Sequence, residues 1–95
     1  MIILITGGAK RIGKLLCESL ANAGHQVIIH YNHSKTEAQA LLISLPGSGH
    51  STIQKDLAKP QCAEELLRTL EDENRLPDAL INNASTFYKR DLNEF

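Results

Sequence analysis

The sequence predicts an α/β fold, a parallel β-sheet layered between helices. Two observations carry that expectation. Short apolar runs of strand length alternate four times with segments of helical periodicity, and glycine or proline stands at most of the junctions. The first run, Ile2-Ile3-Leu4-Ile5, is continuously apolar rather than alternating, as in a strand covered on both faces.

Each element has its own signal. Residues 2–5 form the first strand and end in Thr6-Gly7-Gly8. Ile12, Leu15, Leu16, Leu20 and Ala23 then recur at helical spacing, with Gly24 where the residue after a helix is expected. Residues 26–31 give a second strand. Ser34-Lys35-Thr36-Glu37 has the spacing of a capping box and opens a helix running to about Leu45, where Pro46-Gly47 stops it. Residues 51–54 form a short third strand. Pro60 suits the first turn of a third helix whose apolar stripe is Ala63, Leu66, Leu67 and Leu70. Pro77 then breaks the chain before Ala79-Leu80-Ile81, the fourth strand.

Strands linked through helices imply right-handed crossovers in one parallel sheet. A Rossmann-like doubly wound sheet has about six strands in the order 3-2-1-4-5-6. Residues 1–95 are therefore expected to be the N-terminal part of a single NAD(P)-binding Rossmann domain, a partial fold with only the first four strands present. The fourth strand would be an open edge, and the isolated chain would be prone to self-association or aggregation. There is no internal repeat, low-complexity segment or linker.

Composition narrows the partners. With 95 residues, 42% of them hydrophobic, and a net charge of -1, the chain can build one core and has no general attraction for nucleic acid or an anionic membrane. Anion binding must come from a local cluster, and Lys10, Arg11 and Lys14 form one. Cys17 and Cys62 lie in expected helices without a C-x-x-C pair, which suits a reducing, cytoplasmic setting. The apolar start is too short for a signal-peptide core, and no window has the length of a membrane span.

The chemistry concentrates in Thr6-Gly7-Gly8-Ala9-Lys10-Arg11-Ile12-Gly13. Gly7 ends the first strand and Gly13 lies in the first helical turn, so backbone N–H groups and the positive helix end converge where a pyrophosphate would sit. Glycines also merely close turns, but this turn follows a strand and opens a helix within a strand-helix-strand unit. An enzyme selecting NAD carries Asp or Glu at the end of the second strand to bind the ribose hydroxyl. Here His30-Tyr31-Asn32-His33-Ser34 contains no acid. Asn32, His33 and Ser34 can instead donate to a 2′-phosphate, with Lys10 as a nearby cation, so NADP(H) is the expected cofactor. The bland alternative for Lys10 is a solvated loop lysine.

The glycine turn, Asp56-Leu57 after the third strand and Asn82-Asn83-Ala84 after the fourth together resemble the short-chain dehydrogenase/reductase family over essentially the whole chain. Two departures from the family's usual pattern, Arg11 for glycine and Ser85 in place of the glycine of its strand-4 motif, resemble the branch of pteridine and dihydromonapterin reductases. His33 stands where that branch commonly has arginine. The resemblance implies that Gly7, Arg11, Ile12 and Gly13 hold the pyrophosphate, and that Asn32, His33 and Ser34 hold the 2′-phosphate. It places Asp56 and Leu57 at the adenine, and Asn83 and Ala84 at the nicotinamide-side ribose. Arg11, Ser85 and Phe87 would contact a pterin-like substrate, with Phe87 stacked on its ring. The alternatives are a core role for Phe87 and an ordinary turn for Ser85.

No catalytic residue is assigned within the chain. Family members protonate substrate with a tyrosine followed four residues later by a lysine, and the match at Tyr31 and Lys35 falls beside the adenosine site, where it cannot serve. The acid is expected beyond Phe95, and the complete protein as a homo-oligomer. His25, His30 and His50 are scattered without metal-ligand spacing and are expected to be solvated or capping residues. Two other readings stay open: a truncated, non-catalytic nucleotide-binding or interaction module, and a fragment of a general short-chain carbonyl reductase.

Overall fold

The computed structural model describes residues 1–83. The elements are β1 (Ile2–Thr6), α1 (Arg11–Asn22), β2 (Gln26–Tyr31), α2 (Lys35–Ser44), β3 (Ser51–Gln54), α3 (Cys62–Asp72) and β4 (Ala79–Asn82). All four strands lie parallel in one sheet of order β3-β2-β1-β4. This is the first part of the doubly wound order, and every expected strand is present.

The continuous apolar runs sort into two cores by alternate residues, because successive strand side chains point to opposite faces. Ile3, Ile5, Val27 and Ile29 pack with Cys17 and Ala21 of α1 and with Ala38 and Leu41 of α2. Leu4, Ile28 and Ile53 pack on the other face with Cys62, Leu66 and Leu70 of α3. The register of β4 on β1 is pinned at its start, where the Asp78 carboxylate accepts the Ile2 N–H at 2.7 Å and the Asp78 N–H donates to the Ile2 carbonyl at 2.7 Å.

The helix ends obey local rules. Gly24, at φ 94°, closes α1 with the His25 N–H reaching back to the Leu20 carbonyl at 3.1 Å. Asn74 plays the same part after α3 at φ 57°, with the Arg75 N–H on the Leu70 carbonyl at 2.8 Å. Arg75 then donates to Ser51 Oγ and to the Thr52 carbonyl, fastening the end of α3 to β3.

Three local expectations are corrected. Ile12 and Leu15 of α1 are 65% and 63% exposed, and the buried face is the small set Gly13, Cys17 and Ala21. Small residues win because α1 runs close to the sheet: a Cβ on Gly13 would strike the Gly7 carbonyl, lie 2.7 Å from Asn83 Nδ2 and 2.8 Å from Gly8 Cα. Pro60 precedes α3 rather than opening it, since the Cys62 N–H bonds back to the Lys59 carbonyl in a separate turn, and the buried face of α3 takes Leu66 and Leu70 but leaves Leu67 exposed. Ser34 precedes α2 but makes no side-chain capping bond.

Two outcomes follow from this packing. Gly13→Ala should destabilise the full-length protein by about 1–3 kcal/mol in urea denaturation, since backbone rather than a flexible side chain must yield. Among the described residues β4 has no strand on its outer side and Leu80 is exposed, so a polypeptide of residues 1–95 alone should self-associate with rising concentration. A concentration-independent monomer in sedimentation would contradict this.

Candidate functional site

The C-terminal ends of the four strands meet at one place, and the turn after β1 is its centre. Gly7 takes φ 64°, a backbone region that favours glycine, and both sides of its backbone are held. Its N–H donates to His30 Nδ1 at 2.9 Å, and its carbonyl accepts from Asn83 Nδ2 at 3.1 Å. Thr6, paired in register with Asn82, donates its hydroxyl to Asn82 Oδ1 at 2.9 Å and accepts the Asn83 N–H at 2.9 Å. The ends of β1 and β4 are thereby fastened beneath the turn.

His30 links three strand ends. Its ring is buried, Nδ1 faces the Gly7 N–H, and Nε2 lies 2.8 Å from the Lys55 carbonyl after β3. Only the neutral ring with its proton on Nε2 satisfies both neighbours. Burial pushes its pKa below the usual histidine value, opposed in part by the bond to Lys55. The carbonyl of His30 also accepts the Gly8 N–H at 3.0 Å. Of the expected solvated or capping roles, burial excludes the first for His30, and its ring satisfies backbone groups of two other strand ends. His50 acts as a cap as well, accepting the Val27 N–H at 3.1 Å where β2 begins.

Two cavities open around this junction. One, of about 320 Å³, is lined by Lys10, Asn32, His33 and Ser34 over a floor of Gly7 and His30. The other, of about 440 Å³, takes in Asp56, Leu57 and Ala58 and shares Gly7, His30, Asn32 and His33 with the first. Asp56 turns one carboxylate oxygen to the Ala58 N–H at 3.0 Å. The structure therefore gathers Gly7, Lys10, Asn32, His33, Ser34, Asp56 and Leu57 around adjoining cavities, with Gly13 and Asn83 packed under the turn.

Other expected residues lie elsewhere. Arg11 sits in a groove of about 650 Å³ between α1 and α2, with Lys14, Glu18 and Glu37. Its φ is 55°, a left-handed conformation that costs a side-chain-bearing residue about 1–2 kcal/mol. Ile12 is exposed on the same helix. Lys10 borders both the groove and the smaller cavity and pairs with Glu37 across 3.4 Å. The pair diverts the glutamate arm of the expected capping box to the lysine, and Ser34, at φ -88° and ψ 52° rather than extended, makes no helix-capping bond. Ala84, Ser85 and Phe87 lie outside the described residues.

Sequence reasoning passed over His30 and Thr6, the two buried polar side chains among the described residues. The only available signal was position: each follows an apolar run at the C-terminal end of an expected strand, where a polar group must find partners. Among the described residues no three His, Cys, Asp or Glu side chains are placed to hold a metal, and no helix is long and apolar enough to cross a membrane.

Comparison with known proteins follows the same lines. An NADPH-dependent pterin aldehyde reductase of Arabidopsis thaliana is 34% identical over 88 residues, 92% of this chain and 36% of that protein. A 3-oxoacyl-[acyl-carrier-protein] reductase of Synechocystis is 32% identical over 85 residues, 87% of this chain and 34% of its own. The solved FolM alternative dihydrofolate reductase 1 of Brucella suis, in complex with NADP, superposes with a TM-score of 0.73 at 36% identity, over 87% of this chain and 35% of that one. The chain thus spans about a third of the length of these relatives. These relatives act on different substrates by their names, and since residues 1–95 match the short chain dehydrogenase family throughout, the chain belongs to that family.

Proposed function

We propose that residues 1–95 form the cofactor-holding part of an NADPH-dependent oxidoreductase that reduces a pteridine or dihydropteridine. The observation that carries the cofactor reading is the smaller cavity, where Lys10, Asn32, His33 and Ser34 converge and, among the described residues, no carboxylate lines the wall. A 2′-phosphate fits that donor set, and a ribose 2′-hydroxyl would lack its usual acid partner. The second cavity, with Asp56 and Leu57, suits adenine as a flat ring with an exocyclic amine. Gly7 and Gly13 let the backbone approach the pyrophosphate, joined by the chain at Arg11 and Ile12. The NADP complex of the Brucella protein supports the same cofactor.

When bound, NADPH supplies a hydride; the residues of this chain hold and orient it. Asn83, tied to the Gly7 carbonyl, would set with Ala84 the nicotinamide-side ribose. Arg11, Ser85 and Phe87 are assigned to the substrate. The left-handed backbone at Arg11 favours this, because a side chain retained where glycine is less strained has a use beyond closing the turn. The names of the Arabidopsis and Brucella relatives support pterin chemistry, while the Synechocystis relative keeps acyl-carrier substrates in the test.

NADPH should bind the full-length protein more tightly than NADH by ~2 kcal/mol, about thirty-fold, in fluorescence titrations at matched salt. Asn32→Asp should shift the preference towards NADH by placing a carboxylate in the phosphate cavity. Equal affinities for the two cofactors would remove the reading. Phe87→Ala should weaken dihydropteridine binding about ten-fold with NADPH affinity nearly unchanged. Equal loss of both ligands would make Phe87 a packing residue, and faster turnover of 3-oxoacyl thioesters or simple ketones than of pterins would replace the substrate assignment.

A further inference from the structure

We propose that His30 is a positioning residue of the cofactor site, whose neutral ring fixes the pyrophosphate turn relative to the adenine-side loop. The inference rests on the cofactor reading above. Three bonds carry it: the Gly7 N–H on Nδ1 at 2.9 Å, Nε2 on the Lys55 carbonyl at 2.8 Å, and the Gly8 N–H on the His30 carbonyl at 3.0 Å. Gly7 opens the turn expected to wrap the pyrophosphate, and Lys55 immediately precedes the Asp56-Leu57 pair of the second cavity. The two halves of one dinucleotide are therefore set against each other through a single imidazole, which floors both cavities.

The arrangement has a defined failure. Adding a proton to Nδ1 sets an N–H donor against the Gly7 N–H donor, in a ring that is almost wholly buried. The turn must then shift, or the ring must leave its place. Since folding holds the ring neutral and its pKa below the usual range, the contribution is present above the ordinary histidine value and is lost as pH falls through the folded one.

The other ionisable groups nearby are Lys10 and Tyr31 at the smaller cavity, His33 and Asp56 at the larger, and Lys55. Lys55 turns its ammonium outward to Glu65 at 2.7 Å. His33 is exposed and stands among the groups proposed for the 2′-phosphate, whereas His30 acts on the turn. NADH, which carries no 2′-phosphate, separates the two.

The test uses the full-length protein and two substitutions that each keep one arm. His30→Asn can still accept the Gly7 N–H but cannot reach the Lys55 carbonyl; His30→Gln does the reverse. For the unaltered protein, the NADH dissociation constant should rise about three- to ten-fold as pH is taken progressively below the ordinary histidine value. Both variants should bind NADH about three- to ten-fold more weakly at neutral pH and lose that acid limb. Imidazole ¹⁵N shifts should place the proton on Nε2 at neutral pH, a readout that needs neither ligand nor variant. An acid limb retained in both variants, or a proton on Nδ1, overturns the role of His30 while leaving NADPH binding intact. If the unaltered protein binds neither dinucleotide at any pH, the cofactor reading itself fails and the inference falls with it.

Discussion

The structure turns on how the backbone of one glycine is held. A left-handed residue at the end of a buried strand has a polar N–H and carbonyl that must be satisfied where β-ladder partners run out. At Gly7 the solution comes from two other strand ends, His30 from β2 and Asn83 just past β4. That pairing makes the turn a product of tertiary structure. It also explains why α1 must be small on its inner face, since anything larger than hydrogen at Gly13 would enter the space where Gly7, Gly8 and Asn83 converge.

Most of the fold was legible because it depends on features one sequence displays. Continuous apolar runs gave parallel strands, and Gly24 marked the end of a helix that the structure closes in the expected way. The errors share a physical origin. Periodicity weighted Ile12, Leu15 and Leu67 by size, whereas the approach of each helix to the sheet selects residues by clearance. The capping box at Ser34 and Glu37 was a local expectation whose glutamate arm goes instead to a charge, Lys10, from another part of the chain. Gly7, Lys10, Asn32, His33, Ser34, Asp56 and Leu57 were expected together and lie together because their spacing follows the strand ends. His30 was not, because its role appears only when β1, β2 and β3 are laid side by side.

Charge around the site is arranged locally, with little net field behind it. Lys10 has a partner in Glu37, and an exposed pair of this kind contributes little to stability. Its value lies in keeping a cation at the lip of the smaller cavity beside a serine hydroxyl not used in capping. On the cofactor reading proposed above, a phosphate arriving there would meet groups whose competing partners are weak, so little would have to be broken to admit it.

The two cysteines are sealed against opposite faces of the same sheet. The Cys17 Sγ lies 3.7 Å from the Gly8 carbonyl beneath α1, where burial, with Glu18 adding to it, pushes the thiol up to about 12. The Cys62 Sγ donates to the Leu57 carbonyl at 3.2 Å under α3, and burial raises its pKa as well. Both thiols are buried while their helices stay seated, and burial disfavours the thiolate of each. The chain therefore carries two built-in chemical clocks: the alkylation rate of one measures the lifting of α1 from the glycine turn, and that of the other the lifting of α3 from the adenine-side loop, each without an added label.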